Sequence, residues 1–460
     1  MCDGLEVSEI LKSELERTLR IDAEFYKKEN LIMHDALNKI NSTTLTNYFH
    51  ISDGNHMSIK DNFSETGIKY YKGSNIYNFF IEDSNPICIS ENIYNSSSMI
   101  RSHLKQGDIL LSIVGAIIGN VALVTTNEKQ TCSCKLAILR PRIKKYSSIG
   151  AIYLKTKYGQ NQIQKFRRGA AQTGLLLEDT DQLYIPTFSS AFITTIDDYV
   201  LKMYKISQDS KNKYRIAMSI LLRSISTEHF IHNTDATIIK SFSDSFGASG
   251  RLDAEFYQKK YEAIENMLNG KTGRFTLHDT NFTPVSSTTY HYIELSDIGT
   301  SGNITGAIVD VGSALPTRAR RKLKSGQVIV SSIEGSLGSC ALVPIKYHDA
   351  LCYTGFYIID STYYNPETLL MLFKSFPIQE LMKKRCSGSI LTAINKEDFL
   401  DIPLPDVDGK IQTEISDQVQ QSFALRDQSE QILEHTIQAV ELAIEESEDY
   451  AMQWLLDQNQ

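Results

Sequence analysis

Beyond Pro186 the apolar residues return every three or four positions, at Phe192, Ile196, Val200, Met203 and Tyr204, and again at Tyr214, Ile216 and Ile220 to Leu222. Beyond Pro403 and Pro405 the same rhythm runs through Ile411, Ile415, Val419, Phe423, Leu433, Ile437, Val440 and Ile444. Steps of three and four put apolar side chains on one face of a helix. Each stretch lacks Pro and Gly for thirty-odd residues, which predicts helices roughly 45–50 Å long at about 1.5 Å per residue. A stripe that long must be buried, and the other helix offers the nearest surface for it. Ahead of each helix, short apolar runs broken by glycine predict strands and turns.

These elements repeat. Arg20-Ile-Asp-Ala-Glu-Phe-Tyr26 recurs as Arg251-Leu-Asp-Ala-Glu-Phe-Tyr257, 231 residues later. The strand–turn–strand pattern of residues 107–124, with Gly107, Gly115 and Gly119, recurs over 326–343 at an offset of 219, with Gly326, Gly335 and Gly338. Arg167 and Arg168 lead to Leu183-Tyr-Ile-Pro186 as Lys384 and Arg385 lead to Leu400-Asp-Ile-Pro403, and a long helix follows each Ile-Pro. The chain is therefore two copies of one unit. Residues 41–106 and 270–325 share almost nothing that aligns, so a constant frame carries two different inserts.

Charge first argues against a nucleic-acid partner, since the 460 residues sum to −8. Residues 411–460, however, hold eleven acids and one base, which leaves a balance of +2 elsewhere. Local basic faces are therefore available to the rest of the chain. The acidic positions Glu441, Glu445, Glu446, Glu448 and Asp449 are expected to be solvated or to meet a partner protein, away from phosphate. Seven cysteines, an odd number, fit reduced thiols. Cys132 and Cys134 have no second pair at zinc spacing and read as a core strand. Residues 1–20 read as an amphipathic helix and not as a signal peptide, and no apolar run reaches the ~18–20 residues of a membrane span. A soluble, cytoplasmic protein with no membrane partner is expected.

The leading Arg-Leu-Asp-Ala-Glu-Phe-Tyr, Gly67-Ile-Lys-Tyr-Tyr-Lys-Gly73-Ser-Asn-Ile76, the Gly-Asp-Ile-Leu-Leu-Ser strand and the Ile-Pro-led helices, in that order and in duplicate, resemble type I restriction–modification specificity (S) subunits. The resemblance covers residues from about 20 to 445. It implies an α/β (α+β) fold: two pseudo-symmetric target-recognition domains joined by long antiparallel coiled-coil-like helices. The expected division is an N-terminal helical extension at 1–19, recognition domains at 20–186 and 251–403, a spacer helix at 187–230, a linker at 231–250, and a second spacer helix with an acidic tail at 404–460. It also implies double-stranded DNA as ligand, each domain reading half of a split target. The helices would act as a ruler that docks two adenine methyltransferase (modification) subunits, and restriction subunits would join through the complex. Two features depart from the family: residues 1–19, expected to reach a methyltransferase or cap the exit helices, and the shifted glycine turn, with Gly115 where the second copy has Glu334. A related two-subunit system with a fused nuclease–methyltransferase, or a protein-interaction scaffold, stays open.

No set of catalytic roles can be assembled, and no cofactor or metal is expected. There is no Pro-Pro for an amino-methyltransferase motif and no Gly-x-Gly loop. Gly270-Lys271-Thr272 lacks the first glycine of a phosphate loop, because position 265 is Glu. The acidic positions Asp406 and Asp408 lie too close together to form a nuclease centre on separate strands. The candidate DNA-contacting residues are Lys155, Lys157, Lys165, Arg167 and Arg168 in the first copy, and Arg318, Arg320, Arg321, Lys322, Lys324, Lys383, Lys384 and Arg385 in the second. They are phosphate-seeking cations near the inserts. Lys72, Ser74, Asn75 and Gln172 are the candidate base readers, because amides and cations form the common base-edge pairs. Tyr70 and Tyr71 read as core.

Overall fold

The computed structural model describes residues 6–15, 19–82, 86–169, 173–225, 238–388 and 392–458. The chain divides into two compact units: unit 1, residues 1–206 with 428–460, and unit 2, residues 207–427. Both long helices pass from one unit to the other in sequence, since they span Ser190–Ser224 and Gly409–Glu445.

Unit 1 contains two four-stranded sheets. The first is antiparallel, in the order Phe49–Asp53, Leu136–Pro141, Ile109–Ser112, Val121–Leu123. The expected glycine turn joins the last two strands, and positive φ at Gly115 and Gly119 shows why glycine stands there. The second sheet runs Phe63–Ser64, Ile87–Ile89, Ile68–Tyr71, Gln130–Cys132, and its last pair is parallel. Tyr70 and Tyr71 are buried in it, and Cys132 ends its last strand. Helices Tyr146–Lys155 and Lys157–Phe166 cover the first sheet. They are separated at Thr156, whose hydroxyl caps the second helix by accepting the Gly159 N–H.

Unit 2 repeats this plan. Its first sheet runs Thr276–His278, Phe356–Asp360, Val328–Ser331, Cys340–Leu342, all antiparallel. Its second runs Ile308–Val311, Thr289–Ile293, Leu351–Tyr353, Ala319–Lys322, with the middle pair parallel. The inserts that share almost no alignable sequence thus each supply a strand, Ile68–Tyr71 and Thr289–Ile293, that pairs in parallel with a strand of the frame. The second sheets differ at the edges: unit 1 adds Phe63–Ser64 beyond Ile87–Ile89, whereas Ile308–Val311 is the edge strand of unit 2. Each unit closes its ends alike. In unit 1 Ser42–Thr44 pairs with Tyr184–Pro186, and in unit 2 Lys271 bridges to Leu404.

The long helices bury their stripes within each unit. In unit 1 Phe192, Ile196, Val200 and Met203 share a core with Ile432, Val440 and Ile444, and the contacts Met203–Ser429 and Ser189–Glu448 set the helices antiparallel. In unit 2 Ala217 and Leu221 share a core with Ile415 and Val419. There Ser210 and Ser422 exchange hydroxyl-to-carbonyl bonds of 2.7 and 2.8 Å, so two buried hydroxyls are satisfied at a close helix approach.

Two expectations about the termini change. Over residues 6–15 there is only a 3-10 turn at Lys12–Glu14 and no amphipathic helix. Ile10 and Leu15 lie against the unit 1 core, and Glu6 accepts the Lys28 N–H, so this stretch braces the leading motif. The acidic end is also not simply solvated. Ser447 caps a further helix, Glu448–Asp457, which buries Ala451 and Leu455, while Glu441 and Glu448 accept the backbone N–H groups of Lys157 and Ser189.

Candidate nucleic-acid interface

The repeated leading motif is a structural clasp. The Arg20 guanidinium pairs with Asp22 at 2.7 and 2.8 Å, donates to the Phe166 carbonyl at the end of a helix, and lies 4.7 Å from the Phe25 ring centroid. Arg251 does the same with Asp253, the Cys386 carbonyl and Phe256. A lysine covers the same ring in each copy, Lys165 at 4.4 Å from Phe25 and Lys384 at 5.2 Å from Phe256. Beside each clasp a loop returns through paired bridges, Arg168–Gly174 with Val114–Gly174 in unit 1 and Ser387–Ala393 with Ile333–Ala393 in unit 2. Gln160 and Gln379 hold the glycine turns next to these loops by donating to the Gly119 and Leu337 carbonyls.

In unit 1 an open groove of about 970 Å³ gathers Lys157, Lys165, Arg167 and Arg168 along one wall, facing Asp22, Glu24 and Glu29. The four cations are not equivalent. Lys165 is 5% exposed and occupied by the Phe25 ring, so it belongs to the clasp and not to a phosphate surface. Lys155 is half-buried and lies outside this groove; burial holds its ammonium below the usual lysine range. Lys157 pairs with Glu445 at 2.5 Å. Arg168 pairs with Asp179, a carboxylate that burial pushes up despite the guanidinium beside it. Moving Arg168 to a phosphate would strand a buried carboxylate, a loss of several kcal/mol on the ~3–5 kcal/mol scale of broken buried pairs. Arg167 is exposed and, among the described residues, its guanidinium bonds to the side chains of Gln164 and Thr173 and to no carboxylate, so it is the freest of the set. Gln172 lies outside the described residues.

At the Gly73–Asn75 turn one candidate base reader is engaged within the fold. The Asn75 amide oxygen accepts the Lys72 N–H at 2.9 Å and its NH₂ donates to the Glu82 carbonyl at 3.1 Å, so the side chain holds its own turn. Asp297 accepts the Glu294 N–H at the matching turn of unit 2. Lys72 lies over the Phe63 ring, and Ser74 remains exposed.

In unit 2 the densest basic run falls on the edge strand Ala319–Lys322 and its flanks. Arg318, Arg320, Lys322 and Lys324 are exposed, with Ala319 and Leu323 buried between them, and the register shifts by a bulge between Ala319 and Arg321. Arg321 differs from the rest: it is half-buried, and its Nε and Nη1 are buried without a hydrogen-bond partner, so it is not a surface contact. Lys384 and Arg385 are both tied to Glu265, with side chains 15% and 14% exposed, and burial holds the Arg385 guanidinium below its ordinary range. Lys383 is more exposed and lies 3.9 Å from Glu255.

No family model matches the chain, and no curated protein matches it. Solved structures do. The chain is similar to the type I restriction–modification S subunit from M. genitalium, with 14% identity, covering 91% of this chain and 96% of that one, at a TM-score of 0.36. It is similar to the HsdS subunit from Thermoanaerobacter tengcongensis at 14% identity, 88% and 96% coverage and a TM-score of 0.29. A structure described as the basis of complex assembly and conformational transition of the type I R-M system matches at 15% identity, 91% and 97% coverage and a TM-score of 0.28. Identity this low transfers no residue's role.

Three basic residues escaped the sequence reading. Residue His103 bridges to Thr131 as Lys322 pairs with Leu351 on the matching strand. This register makes Arg101, His103 and Lys105 the counterparts of Arg320, Lys322 and Lys324. The signal was present: the offset of 219 that relates Gly107 to Gly326 also relates these three pairs.

Proposed function

We propose that this chain is a non-catalytic, sequence-specific DNA-binding specificity subunit of a cytoplasmic type I restriction–modification system. On this reading each unit recognises one half of a split target, and the subunit positions two adenine methyltransferase subunits, with restriction subunits joining through them. One observation carries the reading: the same frame, down to the clasp and the closing bridge, is built twice around inserts of unrelated sequence. A duplicated frame with divergent inserts suits a molecule that must read two different things in the same way. The exposed cations Arg167, Arg318, Arg320, Lys322, Lys324 and Lys383 supply phosphate contacts that position such a reader. The two helices that continue in sequence from one unit to the other set the length of the unread spacer.

Selection of bound duplexes from a randomised pool tests this. The expected result is two short enriched motifs separated by a stretch of constant length and no preference. A single continuous motif, or no enrichment, contradicts it.

A further inference from the structure

Resting on that DNA-binding reading, we propose that Arg318, Arg320, Lys322 and Lys324 form a rail along one phosphodiester strand, and that unit 2 thereby carries the larger share of sequence-independent affinity. The four side chains are exposed at every second position along the edge strand Ala319–Lys322 and its two flanks. Six residue steps of about 3.4 Å set an upper bound of about 20 Å on the rail, which the bulge between Ala319 and Arg321 shortens. One strand of a duplex presents a charge every ~3.4 Å of axis over that length. The rail therefore supplies one cation for about two phosphates.

The acids facing the rail leave it available. Arg318 meets Glu294 at 3.2 Å and Lys322 meets Asp349 at 3.0 Å, and Asp349 also lies 3.9 Å from His348. The Lys322–Asp349 pair is solvent-exposed and the Arg318–Glu294 pair half-exposed, and surface pairs of this kind are worth about 0–1 kcal/mol, which a phosphate can displace. Among the described residues Arg320 donates to the Thr317 carbonyl, and Lys324 makes no direct ion pair, with Asp349 feeling its charge from farther away.

The counterparts in unit 1 are already engaged. Arg101 is bonded to Asp53, a carboxylate 11% exposed that His56 also contacts. The His103 ring stacks on Tyr94 with centroids 3.7 Å apart and planes 5° apart, and its Nε2 lies 2.8 Å from the Tyr94 carbonyl oxygen. Of the three, Lys105 alone stays open to solvent without such a tie.

The test is a salt titration of the full chain on a random-sequence duplex, followed by fluorescence anisotropy. It compares Arg320→Gln/Lys324→Gln with Arg101→Gln/Lys105→Gln. Each phosphate contact contributes about 0.9 to the slope of log K against log salt. The unit 2 variant should flatten the slope by about 2 and weaken binding on the order of 10- to 100-fold at ~0.1 M salt, while the unit 1 variant flattens it by about 1. The conservative exchange Arg320→Lys/Lys324→Arg should keep the wild-type slope, which separates charge from folding. An unchanged slope in the unit 2 variant, or an equal or larger change in the unit 1 variant, overturns the rail while leaving DNA binding intact. A wild-type chain with no salt-dependent binding removes the functional reading itself, and the rail with it.

Discussion

Units 1 and 2 solve one folding problem with different chemistry at matched positions. Ahead of the strand that follows Gly107, the buried Asp108 accepts the Lys105 N–H at 2.8 Å; ahead of the strand that follows Gly326, Gln327 accepts the Lys324 N–H at the same distance. The neutral amide needs nothing more. The carboxylate, 1% exposed, needs Arg140, which meets it at 2.9 and 2.6 Å. The leading motifs also differ in burial: Phe25 is fully buried in the unit 1 core, whereas Phe256 is half-buried. Backbone geometry is what the repeat preserves. Side chains diverge wherever a second arrangement satisfies that geometry, and most freely on the surfaces that face solvent.

Substitutions at matched sites should separate the units by size of effect. Phe25→Ala should destabilise unit 1 by about 4 kcal/mol, the scale for a buried phenylalanine. Phe256→Ala should cost about half as much, because the ring already meets solvent. Urea unfolding of each variant checks the ratio, and equal losses would contradict the account. Arg140→Leu should cost about 3 kcal/mol by stranding Asp108 in the interior. Adding Asp108→Gln should restore most of that, since it installs the residue that unit 2 uses at this turn.

A smaller effect is expected in acid. The hydrogen bonds from Arg20 and Arg251 hold the Asp22 and Asp253 carboxyls below their ordinary value of 3.8. A lowered folded pKa means the clasp's contribution is complete above that value and is lost as pH falls through the folded one. Stability measured from pH 5 downward should therefore decline less steeply in Arg20→Gln/Arg251→Gln than in the wild type. The smallest effect belongs to Asn75→Ala, which should cost about 1 kcal/mol for its turn bonds and leave the selected DNA motif unchanged. A changed motif would return Asn75 to the reading surface.

Much of the frame was legible in the sequence. Period and glycine placement marked the long helices and the strand–turn–strand pairs, because burial on one face and positive φ both leave composition signals. The shared second sheet was not legible, because its equivalence lies in backbone register, Tyr70 with Thr131 and Tyr292 with Leu351 in parallel pairs, and not in side-chain identity. Nor could the run of cations be sorted. Lys165, Arg167 and Arg168 look alike in sequence, yet one lies buried against a phenylalanine ring, one is exposed and bonded to neutral side chains, and one holds a buried carboxylate. Residues 6–15 hid their role for a related reason: two apolar side chains suffice to brace a core without forming a helical stripe.

The central claim is that one frame presents two independent readers. Replacing residues 27–185 with the corresponding segment of a relative of different specificity, and mapping the bound sequence of the hybrid, tests it most directly. The account expects one half of the split motif to change while the other half and the spacer stay as they were. A motif that changes in both halves, or in neither, would contradict it.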